Sequence, residues 1–341
     1  LPDGRIAFSR MENEPPVGGH YVLYVCEIDG SALERLTYFP NSVFASSVSQ
    51  DGRIFLLSRQ VYPEYGPAQL LALRSDGTKA ELYLSSGENR AISGKVREST
   101  DGHVYFVEVE DKDSSDGRIY SVSHGLPLST RKVISGGDEL TFHSLYPKDQ
   151  ESLLVSCSND GGSTFGLYGV DIRSGQLGAL VYRSDDVHLI EPVIVRASRV
   201  PMQLPSIVDA KKKRGTFLCH NADISTLETR IEALEDSITD KVQVQGINGL
   251  LGEVPVSADG SFYIDIEADT PVRFQTINSS GQVIRGPSAW VTVRPGERRS
   301  CIGCHEDREL APQNRVPDAL YDGLVSLPGG TRSESIMFTE R

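Results

Sequence analysis

Near the end of the chain two cysteines and a histidine follow one another as Cys301-Ile302-Gly303-Cys304-His305. This is the C-x-x-C-H spacing of covalent c-type haem attachment. Two thiols three positions apart on a tight turn can both reach the porphyrin vinyl groups as thioethers, and the next side chain then projects an imidazole onto the iron. Small Gly303 lets such a turn approach the macrocycle. With 5 cysteines and 7 histidines in the 341 residues, chance would supply roughly 0.0015 segments of this kind. The expectation is one covalent haem c, bound through Cys301 and Cys304, with His305 as the metal ligand. A redox dithiol would normally open a helix after a strand in an α/β domain, and nothing in this chain alternates that way. Half of a zinc ribbon would need a second cysteine pair, whereas Cys26, Cys157 and Cys219 are singletons.

What such an iron does depends on its sixth position. A second strong-field ligand leaves an electron carrier, and an open face admits substrate. The candidates are His20, His103, His124, His143, His188, His220, Met11, Met202 and Met337. His220 is favoured because it shares the motif's domain, Met202 because linker residues can fold back, and His20 because it sits in a glycine-rich insertion. Arg285, Arg294, Arg298, Arg299, Arg308 and Arg315 make the motif's neighbourhood basic, and one or two could pair with haem propionates. Trp290 is either a porphyrin neighbour or core. The three single cysteines are read as buried core thiols, with a Cys157–Cys219 disulfide or a metal role for Cys219-His220 as alternatives. No nucleophile elbow, P-loop or zinc helix is present.

The elements that position the motif begin with a repeat. Turn signals recur at Pro2-Asp3-Gly4, Gln50-Asp51-Gly52, Thr100-Asp101-Gly102 and Pro147-Lys148-Asp149, with aspartates 48, 50 and 48 residues apart. A second series, Asp29-Gly30, Asp76-Gly77, His124-Gly125 and Ser174-Gly175, has its glycines 47, 48 and 50 residues apart. Each turn adjoins a run rich in β-branched and aromatic residues. Asp-Gly between alternating strands is a hairpin signal, in which both turn positions are expected at positive φ. Two hairpins per period give four strands, the pattern of a propeller blade. Four blades are expected, near 1–48, 49–98, 99–146 and 147–195. No initiator Met precedes the first blade turn, so a larger ring with upstream blades is anticipated.

The period is lost between Glu191 and Arg214, where three prolines precede Lys211-Lys212-Lys213-Arg214. The expected organisation is a propeller over 1–200, a linker over 201–214, a β-sandwich-like domain over 215–296 and a haem segment with tail over 297–341. The basic run reads as a solvated linker, with a docking patch as the alternative. A capping box at Ser225-Thr226-Leu227-Glu228, with Leu227, Ile231, Leu234 and Ile238 on one face, predicts a short helix. Strands are predicted at 215–219, 241–245, 254–256, 261–266, 272–277 and 289–293. The fold class is therefore all-β.

A formal charge of −13 is the wrong sign for a nucleic-acid partner. The longest apolar runs are far short of the roughly 18 residues of a membrane-spanning helix.

The Asp-Gly repeats over residues 1–200 resemble those of the Tol-system translocation protein. The stretch from Gly252 to Pro317, above all Val291-Thr292-Val293-Arg294-Pro295-Gly296-Glu297-Arg298-Arg299-Ser300 running into the motif, resembles the haem module of a bacterial propeller-cytochrome family that includes the hydrazine synthase alpha subunit. The resemblance implies an exported, haem-bearing protein. In that relative a tyrosine four residues beyond the motif histidine takes the iron; here Glu309 holds the position, which implies ordinary ligation by His305. Covalent haem attachment also implies a periplasmic or extracellular location. The leading expectation is a monohaem electron-transfer subunit that docks through its propeller to other cytochromes or redox proteins in a multi-subunit complex. The alternative is a haem oxidoreductase, hydrazine-synthase-like or peroxidase-like, acting on a small inorganic substrate.

Overall fold

The computed structural model describes all residues except 87–89, 111–116, 136–139, 160–163, 198, 226–229, 231–237, 304–308 and 329–341. Two compact units emerge. The first comprises residues 1–36, 41–75 and 81–205; the second comprises 37–40, 76–80 and 206–341.

In the first unit the strands are β1 (Ile6–Glu14), β2 (Gly18–Cys26), β3 (Glu34–Arg35), β4 (Asn41–Val48), β5 (Ile54–Gln60), β6 (Ala68–Leu73), β7 (Glu81–Ser85), β8 (Ala91–Glu98), β9 (His103–Val109), β10 (Arg118–Ser123), β11 (Lys132–Ser135), β12 (Thr141–Pro147), β13 (Ser152–Ser158), β14 (Gly166–Asp171) and β15 (Leu177–Tyr182). They form four antiparallel sheets in sequence order, β1–β3, β4–β7, β8–β11 and β12–β15. The third sheet is buried on both faces. On β9, Val104 and Phe106 join a core with Phe55, Leu70 and Tyr83 of the second sheet. Alternate residues Tyr105 and Val107 join Phe142, Leu145 and Val155 of the fourth. Period-2 alternation thus serves two cores, as stacked blades require.

The turn series marks hairpins as expected, but its phase differs. Blade bounds placed near 1–48, 49–98, 99–146 and 147–195 put β4, β8 and β12 at the ends of the preceding repeats, whereas each opens its own sheet. The turns at Asp51, Asp101 and Asp149 each join a sheet's first and second strands, so they lie inside the blade. The turn chemistry also differs. Asp51 is not at positive φ; only Gly52 is, at 86°. The Gly52 N–H bonds the Ser49 carbonyl at 2.9 Å, and Asp51 contributes its side chain, accepting the Arg53 N–H at 3.2 Å. Asp3, Asp29, Asp76, Asp101 and Asp149 accept the N–H two residues on in the same way. Aspartate recurs because its carboxylate caps the turn.

The second unit has β16 (Arg214–Cys219), β17 (Lys241–Gly246), β18 (Gly249–Pro255), β19 (Phe262–Glu267), β20 (Val272–Ile277), β21 (Val283–Arg285), β22 (Arg298–Cys301), the four-residue helix α1 (Ala319–Asp322) and β23 (Val325–Ser326). One sheet runs β22-β16-β19-β23 and the other β18-β17-β20-β21. Alternate side chains from both, including Phe217, Cys219, Val242, Val244, Ile264 and Phe274, make a single core. Both edges of the first sheet are parallel pairs, β16 with β22 and β19 with β23.

Several expectations are adjusted here. Arg214 is no linker residue: it opens β16 and its Nε donates to Asp265 at 2.6 Å. Residues 289–293 supply only a bridge between Val291 and Val272, not a strand. The helix predicted from Ser225 falls largely on residues 226–229 and 231–237, outside the described residues. No described helix is long and apolar enough to cross a membrane.

Candidate functional site

The segment entering the motif is set by the Pro295-Gly296-Glu297 turn. Gly296 takes φ 74°, and an added Cβ would lie 2.9 Å from the Asp209 Cβ. Glu297 is 2% exposed. Its Oε1 accepts the Lys79 N–H and its Oε2 the Arg294 N–H, both at 2.8 Å. The Glu297 carbonyl receives the Thr216 N–H at 2.9 Å. This turn starts β22 in register on β16, with Thr216 opposite Arg298 and Cys219 opposite Cys301.

Beyond the strand the ladder continues through the turn that follows β16. The His220 N–H donates to the Cys301 carbonyl at 2.9 Å, and the Asn221 N–H to the Ile302 carbonyl at 3.1 Å. Gly303 then presses against Ile224, whose carbonyl oxygen lies 2.1 Å from where a Cβ would stand. The glycine in the motif is therefore demanded by a protein backbone, not solely by a macrocycle.

The far end of the motif segment is held at the Asp259 turn. Arg315 pairs with the Asp259 carboxylate and donates to the carbonyls of Asp259 at 2.9 Å and His220 at 3.1 Å. Asp259 also accepts the Asp318 N–H at 2.9 Å. Burial by itself would raise this carboxyl, but hydrogen bonds from Ser261 and Asp318, with the Arg315 charge, hold it down at about 2. His220 thus receives both ends of the segment on its backbone, one through N–H and the other through C=O.

Of the expected haem residues, Cys301 is half-buried at the end of β22, while Cys304 and His305 lie outside the described residues. The described part fits a covalently attached porphyrin. Cys301 is half-buried, and among the described residues the Nδ1 of His220 is buried without a hydrogen-bond partner. Among the described residues no group of three or more His, Cys, Asp or Glu gathers into a metal site.

Among the sixth-ligand candidates, His220 is the one found beside the motif, and Met337 is outside the described residues. The others belong to the first unit. His20 Nδ1 lies 3.0 Å from the Gly18 carbonyl. His103 Nδ1 is 3.2 Å from Asp101, and His188 Nδ1 accepts the Phe165 N–H at 3.3 Å. The His124 ring stands 3.0 Å from Asp51 and 3.4 Å from Glu98. His143 sits in β12 with burial pulling its pKa down. Met11 and Met202 are exposed.

Most of the arginines are committed to protein partners. Arg294 is buried, with its guanidinium 5.2 Å from the Tyr38 ring centroid and 3.5 Å from Asp269. Arg299 donates to the Ala80 carbonyl, Arg315 is spent on Asp259, and Arg285 lies 3.8 Å from Asp223. Arg298 is exposed, and Arg308 is outside the described residues. Trp290 is core, 6% exposed, under the Arg273 guanidinium. Cys157 and Cys219 are buried and carry no disulfide, so the alternative bridge between them is not formed. Sequence reasoning missed Glu297, Asp259 and the apposition of Cys219 with Cys301. The Pro-Gly-Glu tripeptide signalled the first; a parallel pairing 82 positions apart has no local signal.

Fold and motif define a class: blade-like sheets followed by a two-sheet β-domain that runs into a C-x-x-C-H sequence. Residues 208–306 match the model of the hydrazine synthase alpha subunit middle domain. Hydrazine synthase subunit alpha of Kuenenia stuttgartiensis is 20% identical over 366 residues, covering 86% of this chain and 45% of that protein. The solved hydrazine synthase of the same organism superposes with a TM-score of 0.77 at 18% identity, over 93% of this chain and 54% of that one. TolB from Acinetobacter baumannii is more distant, at a TM-score of 0.39 and 16% identity over 86% of this chain and 65% of its own. The chain is related to the hydrazine synthase alpha subunit and spans about half the length of the relatives it matches.

This relation overturns the expectation of an electron-transfer subunit. The relative is named as a subunit of a synthase, an enzyme of several chains. The oxidoreductase alternative fits it and the carrier does not. A C-x-x-C-H motif specifies how haem is attached, and the same attachment serves both uses; that is why the motif alone misdirected the assignment.

Proposed function

We propose that this chain carries one covalent haem c on Cys301 and Cys304, with His305 on the iron, as part of a hydrazine-synthase-like oxidoreductase acting on a small inorganic substrate. The supporting observation is that the match to the alpha-subunit middle domain, residues 208–306, runs through the whole motif. When bound, such a group supplies an iron that takes a small ligand on an open face and exchanges electrons with it. The protein's part is placement. Glu297 and the β16–β22 pairing fix Cys301, Ile224 limits the turn at Gly303, and the Arg315–Asp259 pair ties down the far end of the segment. Rigid support of this kind holds a reactive centre within a narrow range of positions. The other subunits of the complex are its partners, and assembly of thioether haem places it outside the cytoplasm, in the periplasm or beyond.

The test combines intact mass with a reduced pyridine haemochrome spectrum on the matured chain, followed by addition of CO or cyanide. One haem per chain and a spectrum that shifts on ligand addition are expected. A six-coordinate low-spin spectrum indifferent to both ligands would refute the enzymatic assignment, and a chain without haem would refute the whole.

A further inference from the structure

Cys219 is the last residue of β16 and Cys301 the last of β22, and the two are Cα partners in the parallel ladder. Registered neighbours lie about 4.8 Å apart in a sheet and point their side chains to the same face. That separation is inside the roughly 4.4–6.8 Å spanned by Cα atoms of disulfides. Exposure is unequal: Cys219 is 2% exposed, whereas Cys301 is half-buried. Neither carries a disulfide. Cys301 is thus the more exposed residue of the pair and the one an oxidant would meet first.

We propose that Cys219 is a resolving thiol for Cys301, so that the haem-free chain can lock its first haem-attaching cysteine as a Cys219–Cys301 disulfide. The oxidant is a small disulfide, R–S–S–R. The Cys301 sulfur attacks it, forming a Cys301–S–S–R mixed disulfide and releasing one RSH. The Cys219 sulfur then displaces the second RSH and closes the bond to Cys301. Two thiol hydrogens and two electrons leave the protein, and one R–S–S–R becomes two RSH. While the bond stands, Cys301 has no sulfur to offer a vinyl group. Once Cys301 is a thioether it has no thiol to exchange, so the loaded chain is immune. The consequence for loading rests on the haem assignment above; the thiol pair itself rests on the ladder.

The experiment treats haem-free chain with oxidised glutathione, alkylates remaining thiols after denaturation, and maps tryptic peptides without reduction. Cleavage after Arg214, Arg230, Arg299 and Arg308 places Cys219 in 215–230 and both motif cysteines in 300–308. The expected product joins these peptides through Cys301, about 2 Da lighter than the two free peptides together. It should persist in Cys304→Ala and vanish in Cys219→Ala. A disulfide found only within 300–308 in the unaltered chain would overturn the proposal. So would a Cys304→Ala chain that stops at glutathione on Cys301 with Cys219 alkylated. Matured chain should carry porphyrin on 300–308 and show no link. If it instead carries none while the haem-free chain still forms the link, the haem assignment fails and the thiol pair stands.

Discussion

Replacing Glu297 with alanine removes one carboxylate that serves two backbone donors. Its two oxygens receive the N–H groups of Lys79 and Arg294 at 2.8 Å from a residue only 2% exposed. A hydrogen bond to a charged group contributes about 1.5–3 kcal/mol, and a buried donor left without a partner costs a comparable amount. Lys79 N is only partly buried, so water recovers some of its share, and about 3–5 kcal/mol is expected to be lost. For a unit of this size each kcal/mol lowers Tm by roughly 2–4 °C, which gives a fall on the order of 10 °C. Glu297→Gln retains one acceptor and should fall between. The assay is urea unfolding followed by the fluorescence of Trp290, the chain's single tryptophan, which reports the second unit. Because the turn starts β22, haem incorporation should fall in parallel. A loss below about 1 kcal/mol at unchanged m-value would refute this account of the Pro-Gly-Glu segment.

Three further outcomes are expected. Asp259 has its carboxyl lowered from 3.8 to about 2; a depressed folded-state value means its contribution is complete above about 4 and disappears as pH falls through about 2. Asp259→Asn should therefore flatten the Trp290-monitored stability profile in that window and leave no difference at its acid end; an unchanged acid limb would count against the Arg315 clasp. Gly303→Ala drives a methyl group into the Ile224 carbonyl, and the displacement, worth roughly 1–3 kcal/mol of overpacking, should lower the haem-to-protein ratio; wild-type loading would show that the turn has room. Cys157, with its thiol pushed up to about 12 by burial, should resist iodoacetamide at pH 8 until denaturant is added, and alkylation of the native chain at the rate of a free thiol would contradict its placement between the third and fourth sheets.

The repeat was legible because each period carries two turns whose chemistry is local. An aspartate that caps the N–H two residues on marks six of the eight turns, and glycine keeps the spacing at His124-Gly125 and Ser174-Gly175, so four sheets could be counted from composition and spacing. Phase was not legible, since the turn fixes where two strands meet but not which of them begins a sheet. That is decided by packing, for instance by Phe142 on β12 filling the space beside Tyr105 and Val107. The alternation at Val242-Gln243-Val244 and Phe262-Tyr263-Ile264 likewise exposed the two-sheet domain, because one face of each strand is apolar. β22, with Arg298-Arg299-Ser300-Cys301, hides from such a criterion: it is a polar edge strand defined by its partner.

The same division governs the site. Cys301, Cys304 and His305 stand out in the sequence because the proposed thioether attachment would constrain spacing along the chain. The groups that hold the segment answer to separation in space, and the chain distance between them is long: Asp259 to Arg315, Glu297 to Lys79, Cys219 to Cys301. Each of these partners was assigned something else or passed over when read alone. Arg315 looked like a propionate counter-ion until Asp259 was found against it, and Cys219 looked like inert core until β22 was laid beside β16. Ion pairs and ladder register both convert remote residues into neighbours, and neither has a periodicity that a linear scan can detect. The haem proposal therefore rests on local chemistry, whereas the placement of β22 and of Arg315 depends on long-range contacts. Substitutions at Glu297 and Asp259 should alter how well the segment is held without touching the residues that would bind the cofactor.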